Sequence, residues 1–391
     1  MLRRGDPANG LGIYLHIPFC RRECPYCDFN SGPQPEATRR RYLEALREEI
    51  RTSPWAGYPV PAVSFGGGIS SELAPVDVAS LVDAVRGAFR VAGDAEWSLE
   101  CTPDTLTLDR LRTLRRLGIN RLSLGAQSFR DRHLLLLGYR HKARDIRSCC
   151  KWARTAGFDN LNLDLLYGLP GQTLGEWMGD LEQALAMEPE HLSLYNLVAA
   201  GDTGPARSID DDRLPEPDEE TVARMYESAL DRIAEAGHGH YHLSGFARAG
   251  REWRQGEIYW NGMAYLGLGA CASSFIQGTR WTNTSRLESY IRGVRAGAVP
   301  RASEEHLSGL RALGEDMLVG LERPNGVSLS ELTRRYGRDV GRLYREPLRF
   351  LSENGLVSRR DDRVSLTRRG LLLSGAIASE FLAVPDGRAA E

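Results

Sequence analysis

The chain is 391 residues long and 42% apolar, and its 50 Lys and Arg against 52 Asp and Glu leave a formal charge of −2. That length corresponds to about two or three domains of roughly 150 residues each, and the near-neutral balance offers nucleic acid or an anionic membrane no electrostatic footprint. There is no run of about 18 apolar residues and no signal-peptide pattern at Met1–Arg4, so a soluble, cytoplasmic protein is expected.

The first predicted strand, Ile13–Ile17, leads into three closely spaced cysteines, Cys20, Cys24 and Cys27. Cys101, Cys149, Cys150 and Cys271 are scattered, which excludes a disulfide scaffold in a chain this long and puts the chemistry in the cluster. Further strands are predicted at Ala62–Phe65, Trp97–Cys101, Arg121–Gly125, Asn160–Leu166 and His191–Leu197. Helical patterns fall between them, near 37–52, 76–91, 107–117, 143–156 and 174–187. Six βα alternations predict a parallel sheet with helices outside it, an α/β fold built as a partial (β/α)6 TIM-type barrel.

Gly66–Gly68, Glu100, Gln127 and Asp164 fall at or just past the ends of successive predicted strands. One such residue alone is a turn glycine or a solvated acid. Four strand ends in succession mark the edge where a parallel barrel assembles its active site. Residues 202–217, with Asp210, Asp211 and Asp212, form an expected exposed loop, and a helix is predicted at about 219–236. His238, His240 and His242 alternate along a short predicted strand and would share one face; ordinary histidines on an exposed strand are expected there rather than a metal site.

From about residue 303 short helices precede a strand–turn–strand within Leu356–Leu366. That is a winged-helix-like α+β arrangement without the interleaved aromatic and basic face of a DNA binder, so no nucleic-acid partner is expected. The implied division is 1–240 for the barrel, 241–302 for a linking, substrate-side segment and 303–391 for the C-terminal module.

The cysteine spacing is C-x-x-x-C-x-x-C with Tyr26 before the last thiol, and it lacks the second ligand pair that a structural zinc site uses. A cubane held by three thiolates keeps one iron open, which suits chelation by the amino and carboxylate groups of S-adenosylmethionine (SAM). One electron passed to the sulfonium then breaks a C–S bond and releases a 5′-deoxyadenosyl radical.

Together with Gly66–Gly68, Gly125-Ala126-Gln127-Ser128-Phe129 and the string from Asn162 to Gln172, the cysteines make the sequence from Tyr14 to about Trp281 resemble the radical SAM superfamily. The branch it resembles holds the oxygen-independent coproporphyrinogen III oxidases (HemN) and the heme chaperones (HemW). The resemblance implies a [4Fe–4S] cluster on Cys20, Cys24 and Cys27, with Tyr14, Tyr26 and Phe29 lining the SAM pocket. It implies Gly67 and Gly68 close to the methionine end, where only glycine permits the approach, and Glu100 on the SAM ammonium. Gln127 would bond the methionine or ribose, Asp164 the ribose hydroxyls, and Leu166 would stand beside a second SAM. An electron donor such as a flavodoxin or ferredoxin and a HemN-type C-terminal module belong to the same implication.

The sequence also departs from that branch. Phe29 stands where the oxidases carry a further cysteine, which disfavours porphyrinogen oxidation. Gln255 aligns with the histidine of the chaperones' heme-binding string, followed here by Tyr259 and Trp260, and an amide is a poor axial ligand for iron. Ile69-Ser70 replaces the usual Thr-Pro, and Tyr139, with Arg140 beside it, replaces an arginine expected on the SAM carboxylate. His242 stands where the family tends to have glutamate. These departures favour a HemN-like (class C) methyltransferase or a cyclopropane-forming enzyme of natural-product biosynthesis. It would use two SAM molecules on a small aromatic or heteroaromatic substrate, with room for a partner methyltransferase. The alternative is a divergent heme chaperone.

Overall fold

The computed structural model describes residues 4–21, 30–197 and 217–382. Six strands run parallel in sequential order: β1 (Leu11–Ile17), β2 (Pro59–Gly67), β3 (Arg90–Cys101), β4 (Arg121–Gln127), β5 (Leu161–Tyr167) and β6 (His191–Asn196). Helices α1 (Glu36–Arg51), α2 (Pro75–Ala88), α3 (Leu108–Leu117), α4 (Asp131–Leu136), α5 (Ala143–Thr155) and α6 (Leu174–Leu185) connect them. All the predicted strands and helices in this half are present; the short α4 is an addition.

The strands alternate over most of their length. Ile13, Leu15, Val63, Phe65, Leu99, Leu122, Leu124, Leu163, Leu165 and Leu192 are buried beneath the helices. The intervening side chains form polar rows on the other face: Glu100, Ser123, Asn162 and His191 are lateral neighbours on β3 to β6, as are Gly125, Asp164 and Ser193 one layer up. Parallel strands packed on both faces by helices are apolar throughout. A polar second face therefore marks the lining of a cavity.

Beyond this arc the sheet continues further than the six predicted units. After α7 (Glu219–Glu235) come β7 (Gly239–His242), β8 (Gly245–Ala247), α8 (Arg254–Trp260), β9 (Ala264–Leu268), β10 (Ser273–Ile276), β11 (Thr279–Asn283), α9 (Leu287–Arg295) and β12 (Arg301–His306). Strand β9 lies parallel to β1, and β10 to β12 extend that edge antiparallel; β8 and β7 extend the other edge beyond β6. The order β12-β11-β10-β9-β1-β2-β3-β4-β5-β6-β8-β7 leaves the sheet open.

The sheet is strongly curled, as α8 shows. Tyr259 meets Tyr265 of β9 at 4.7 Å between ring centroids, and Trp260 stacks on His242 of β7 at 3.7 Å. Those strands are eight positions apart, about 38 Å in a flat sheet, yet consecutive residues of a helix about 10 Å long touch both. Helix α8 thus bridges the open arc of a partial barrel and fills part of its interior.

At the β9 edge, the buried Glu49 carboxylate of α1 accepts from the Gly269 amide (2.8 Å), the Asn283 side chain (3.2 Å) and the Tyr290 hydroxyl (2.5 Å). The C-terminal module has the expected winged-helix-like character: helices Leu329–Tyr336 and Arg345–Glu353 with a sheet of Val327–Ser328, Arg363–Leu366 and Val357–Arg360. Helix Gly309–Leu321 packs it onto the barrel, where Leu243 donates its amide to the Glu322 carbonyl and Arg323 pairs with Glu257 of α8 at 3.0 Å. No helix among the described residues is long and apolar enough to cross a membrane.

Candidate active site

The carboxyl ends of β1 to β5 bring most of the described candidate residues to one end of the cavity. Cys20 follows β1, partly exposed, with its thiol 3.4 Å from the Ser31 hydroxyl and its amide donating to the Gly32 carbonyl. Cys24, Cys27, Tyr26 and Phe29 lie outside the described residues. Among the described residues there is no group of three or more His, Cys, Asp or Glu side chains suited to a metal.

The glycine triplet at the end of β2 is fitted to its neighbours atom by atom. A Cβ on Gly66 would stand 2.5 Å from Glu100 Oε1 and 2.7 Å from the Tyr14 hydroxyl. On Gly67, whose φ is +102°, it would strike the His16 ring at 2.5 Å; on Gly68 it would strike the Phe19 carbonyl oxygen at 2.5 Å. Gly68 and Ile69 donate their amides to the Ile17 and Phe19 carbonyls. Gly68 therefore clamps the start of the cysteine loop by backbone-to-backbone contact, while Gly66 and Gly67 make room for the Glu100, Tyr14 and His16 side chains.

Two carboxyls occupy the interior. Glu100 accepts from the Gly67 amide at 3.3 Å, and burial, with the nearby Asp164 as second cause, pushes its pKa up to about 8. Asp164 lies within β5, three residues before its end, one row above Glu100. It accepts from Asn162 (2.7 Å) and Ser123 (3.2 Å), and burial raises its pKa above the ordinary carboxyl value despite these bonds. Two like groups in a water-poor cavity favour protonation unless a cation joins them.

Gln127 closes the rim at the end of β4. Its amide nitrogen donates to the Tyr139 hydroxyl at 3.3 Å, while its buried Oε1 has no hydrogen-bond partner in the structure. Tyr139, not Arg140, takes the place beside Gln127; Arg140 is exposed. Leu166 is buried with Leu137 and Leu169, against Tyr139 and Leu197. Tyr14 faces Glu100 and Tyr259, and burial raises its pKa well above the ordinary phenol value.

Several polar residues beneath the rim were not singled out from the sequence. The Tyr241 hydroxyl meets His191 Nε2 at 2.6 Å, His191 Nδ1 meets Asn162 Oδ1 at 2.6 Å, and Asn162 passes the chain to Asp164. Burial holds the His191 pKa well down, so the ring is neutral. Their sequence signal is the period-two polar pattern of Ser123, Asn162–Asp164 and His191–Ser193. His16, buried beside Gly67, belongs with them, its ring nitrogen 3.2 Å from the Asn30 carbonyl.

The three-histidine segment differs from expectation. His238 precedes the strand, and a register shift between His240 and His242 breaks the alternation. His238 contacts the Pro189 carbonyl, His240 stacks on Phe246 and His242 on Trp260. His238 and His242 are buried, so the segment is neither an exposed strand nor one shared face.

Gln255 is fully buried on α8, its amide against Gly12 of β1, where a Cβ would approach it to 2.8 Å. Beside Tyr14, His16, Tyr259, Tyr265 and Cys271 a cavity of about 400 Å³ opens toward solvent.

Comparison with known proteins supplies the family context. The radical SAM superfamily model matches residues 14–184, and the HemN C-terminal domain model matches 307–373. The heme chaperone HemW of Bacillus subtilis is 34% identical over 94% of this chain and 98% of its own length. The bovine mitochondrial radical S-adenosyl methionine domain-containing protein 1 is 34% identical over 83% of this chain and 76% of its own. The solved coproporphyrinogen III oxidase HemN of Escherichia coli superposes with a TM-score of 0.85 at 26% identity, covering 96% of this chain and 91% of that one.

Proposed function

Because the chain belongs to the HemN/HemW branch of the radical SAM superfamily, we propose that it holds a [4Fe–4S] cluster on Cys20, Cys24 and Cys27 and cleaves SAM there. The cluster, when bound, supplies the electron that breaks the SAM C–S bond. The observation that carries the reading is the pairing of Glu100 with Asp164 in the cavity, under the glycine clamp that runs onto the cysteine loop.

The residues fit SAM chemically. The Glu100 and Asp164 carboxyls supply a buried pair that a cationic ligand would ionise, the first for the SAM ammonium and the second for its ribose. Gln127 offers an unpaired buried acceptor, and Gly67 and Gly68, at the end of β2, would lie close to the methionine end. By the family resemblance Tyr14, Tyr26 and Phe29 would line the SAM pocket, and Leu166 would stand beside a second SAM. An external one-electron donor is required, of the flavodoxin or ferredoxin kind.

For what happens after SAM cleavage, a HemW-like heme-handling role has the better support, from the full-length likeness to HemW. In this chain the iron would not be held through residue 255, because Gln255 is an amide enclosed between α8 and β1. A flat tetrapyrrole would instead stack on the tyrosine-lined cavity. That enclosed amide also keeps a second reading in play, a class C methyltransferase or cyclopropanase acting with a second SAM on a smaller aromatic substrate. Anaerobic turnover with SAM separates the two: 5′-deoxyadenosine without S-adenosylhomocysteine, together with stoichiometric heme binding, supports the first. S-adenosylhomocysteine formed with an aromatic substrate, and no heme complex, supports the second.

A further inference from the structure

We propose that Asp180, on the outer helix α6, is a positioning residue that locks the strained turn presenting Gln127 to SAM; this rests on the SAM-binding reading above.

Gln127 has φ +62°, a left-handed conformation that a non-glycine side chain adopts only when its surroundings enforce it. The turn is three residues long, closed by the Ser128 amide donating to the Ala126 carbonyl at 2.8 Å. Positive φ at the centre of so tight a turn is the rare, strained form. The same point breaks the β4–β5 register between Gly125 and Gln127. Plain alternation would seat residue 127 in line with Ser123 and Gly125; the turn instead shifts it to pair with Leu165 and so sets where its side chain meets the rim.

Asp180 provides the enforcement. It is fully buried, and its Oδ2 accepts a hydrogen bond from the Ser128 hydroxyl. Its Oδ1 makes no hydrogen bond in the structure. Ser128, itself fully buried, accepts from the Arg130 amide at 3.1 Å, with His133 Nδ1 3.4 Å away. The Arg130 guanidinium flanks the carboxylate at 3.8 Å. The carboxylate thus fixes Ser128, the residue that follows Gln127, and a buried charge-assisted bond is strong enough to hold a turn that costs about 1–3 kcal/mol. Asp180 touches no ligand position; it acts through Ser128.

The test uses reconstituted full-length protein, with SAM dissociation measured by equilibrium dialysis beside iron content and 5′-deoxyadenosine release at saturating SAM. Asp180→Ala and, as the milder change, Ser128→Ala are expected to weaken SAM binding about tenfold, the size of one lost bond to a charged group. Iron content and the saturated rate should stay near wild type. Asp180→Asn, which still accepts from Ser128, should recover most of the affinity. Combined with Gln127→Ala, neither variant should weaken SAM binding beyond Gln127→Ala alone. Additive losses in the double variants, or unchanged affinity in both Asp180→Ala and Ser128→Ala while Gln127→Ala weakens binding, would overturn the positioning role. Unchanged affinity in Gln127→Ala would instead refute the SAM assignment of Gln127 on which it rests.

Discussion

Glu100 on β3 and Asp164 on β5 face one buried space across β4, and the charge on Asp164 helps raise the Glu100 pKa to about 8. A carboxyl so placed is mostly protonated at pH 7 until a cation arrives. Bound SAM would draw the proton off, so affinity should rise from pH 6.5 to about 8 and then level. Glu100→Gln should weaken SAM binding by about 10- to 100-fold at pH 8 and flatten that pH profile. Binding isotherms across the range check both, and an unchanged slope in the variant would exclude Glu100 as the group responsible.

Glu100 and Glu49 together make the stability of the ligand-free protein depend on pH. Folding raises the pKa of Glu49 to about 7 and of Glu100 to about 8, chiefly by burial. Each folded carboxyl therefore holds its proton above the unfolded value near 4.5. The stability this contributes is fully present below pH 4.5 and is lost as pH rises through 7 and 8. Melting temperature should fall from pH 6 to pH 8.5, and Glu100→Gln should regain on the order of 2 kcal/mol at the upper end. Thermal melts of the ligand-free protein decide it; a variant less stable than wild type at pH 8.5 contradicts the sign.

The glycines should separate by what they touch. Gly68→Ala forces a Cβ onto the Phe19 carbonyl, which is backbone of the cysteine loop, so it should lower iron incorporation severalfold. Gly66→Ala meets Glu100 and Tyr14 instead, and should weaken SAM binding with iron retained. Iron assay and SAM titration of the two variants measure this directly, and equal iron loss in both would show that the contacts do not partition in this way.

How much was visible beforehand follows from the physics of each feature. The six βα units were legible because apolar periods and turns are local. Glu100, Gln127 and the glycines were legible because they punctuate strand ends. The second polar layer, Ser123, Asn162 and His191, went unread because only the curled sheet shows that the inner face lines a cavity. Asp180 was hidden differently: it lies on an outer helix, far in sequence from the Ser128 it holds. The histidine segment misled because strand alternation does not anticipate a register shift.

Gln255 carries a prediction about heme. The side chain is enclosed between Gly12 and α8, so Gln255→Ala should leave the Soret maximum of any heme complex unchanged. Absorbance titration of both proteins checks it; a shifted maximum would mean that residue 255 contacts the iron.

The measurement closest to the central claim is anaerobic reconstitution of the wild type and of Cys24→Ala, followed by SAM and dithionite, with iron and 5′-deoxyadenosine quantified together. The wild type should take up about four irons per chain and release 5′-deoxyadenosine, and the variant should lose both. A wild type that releases no 5′-deoxyadenosine with its cluster loaded, or a Cys24→Ala protein with undiminished iron, would contradict a SAM-cleaving centre at these cysteines.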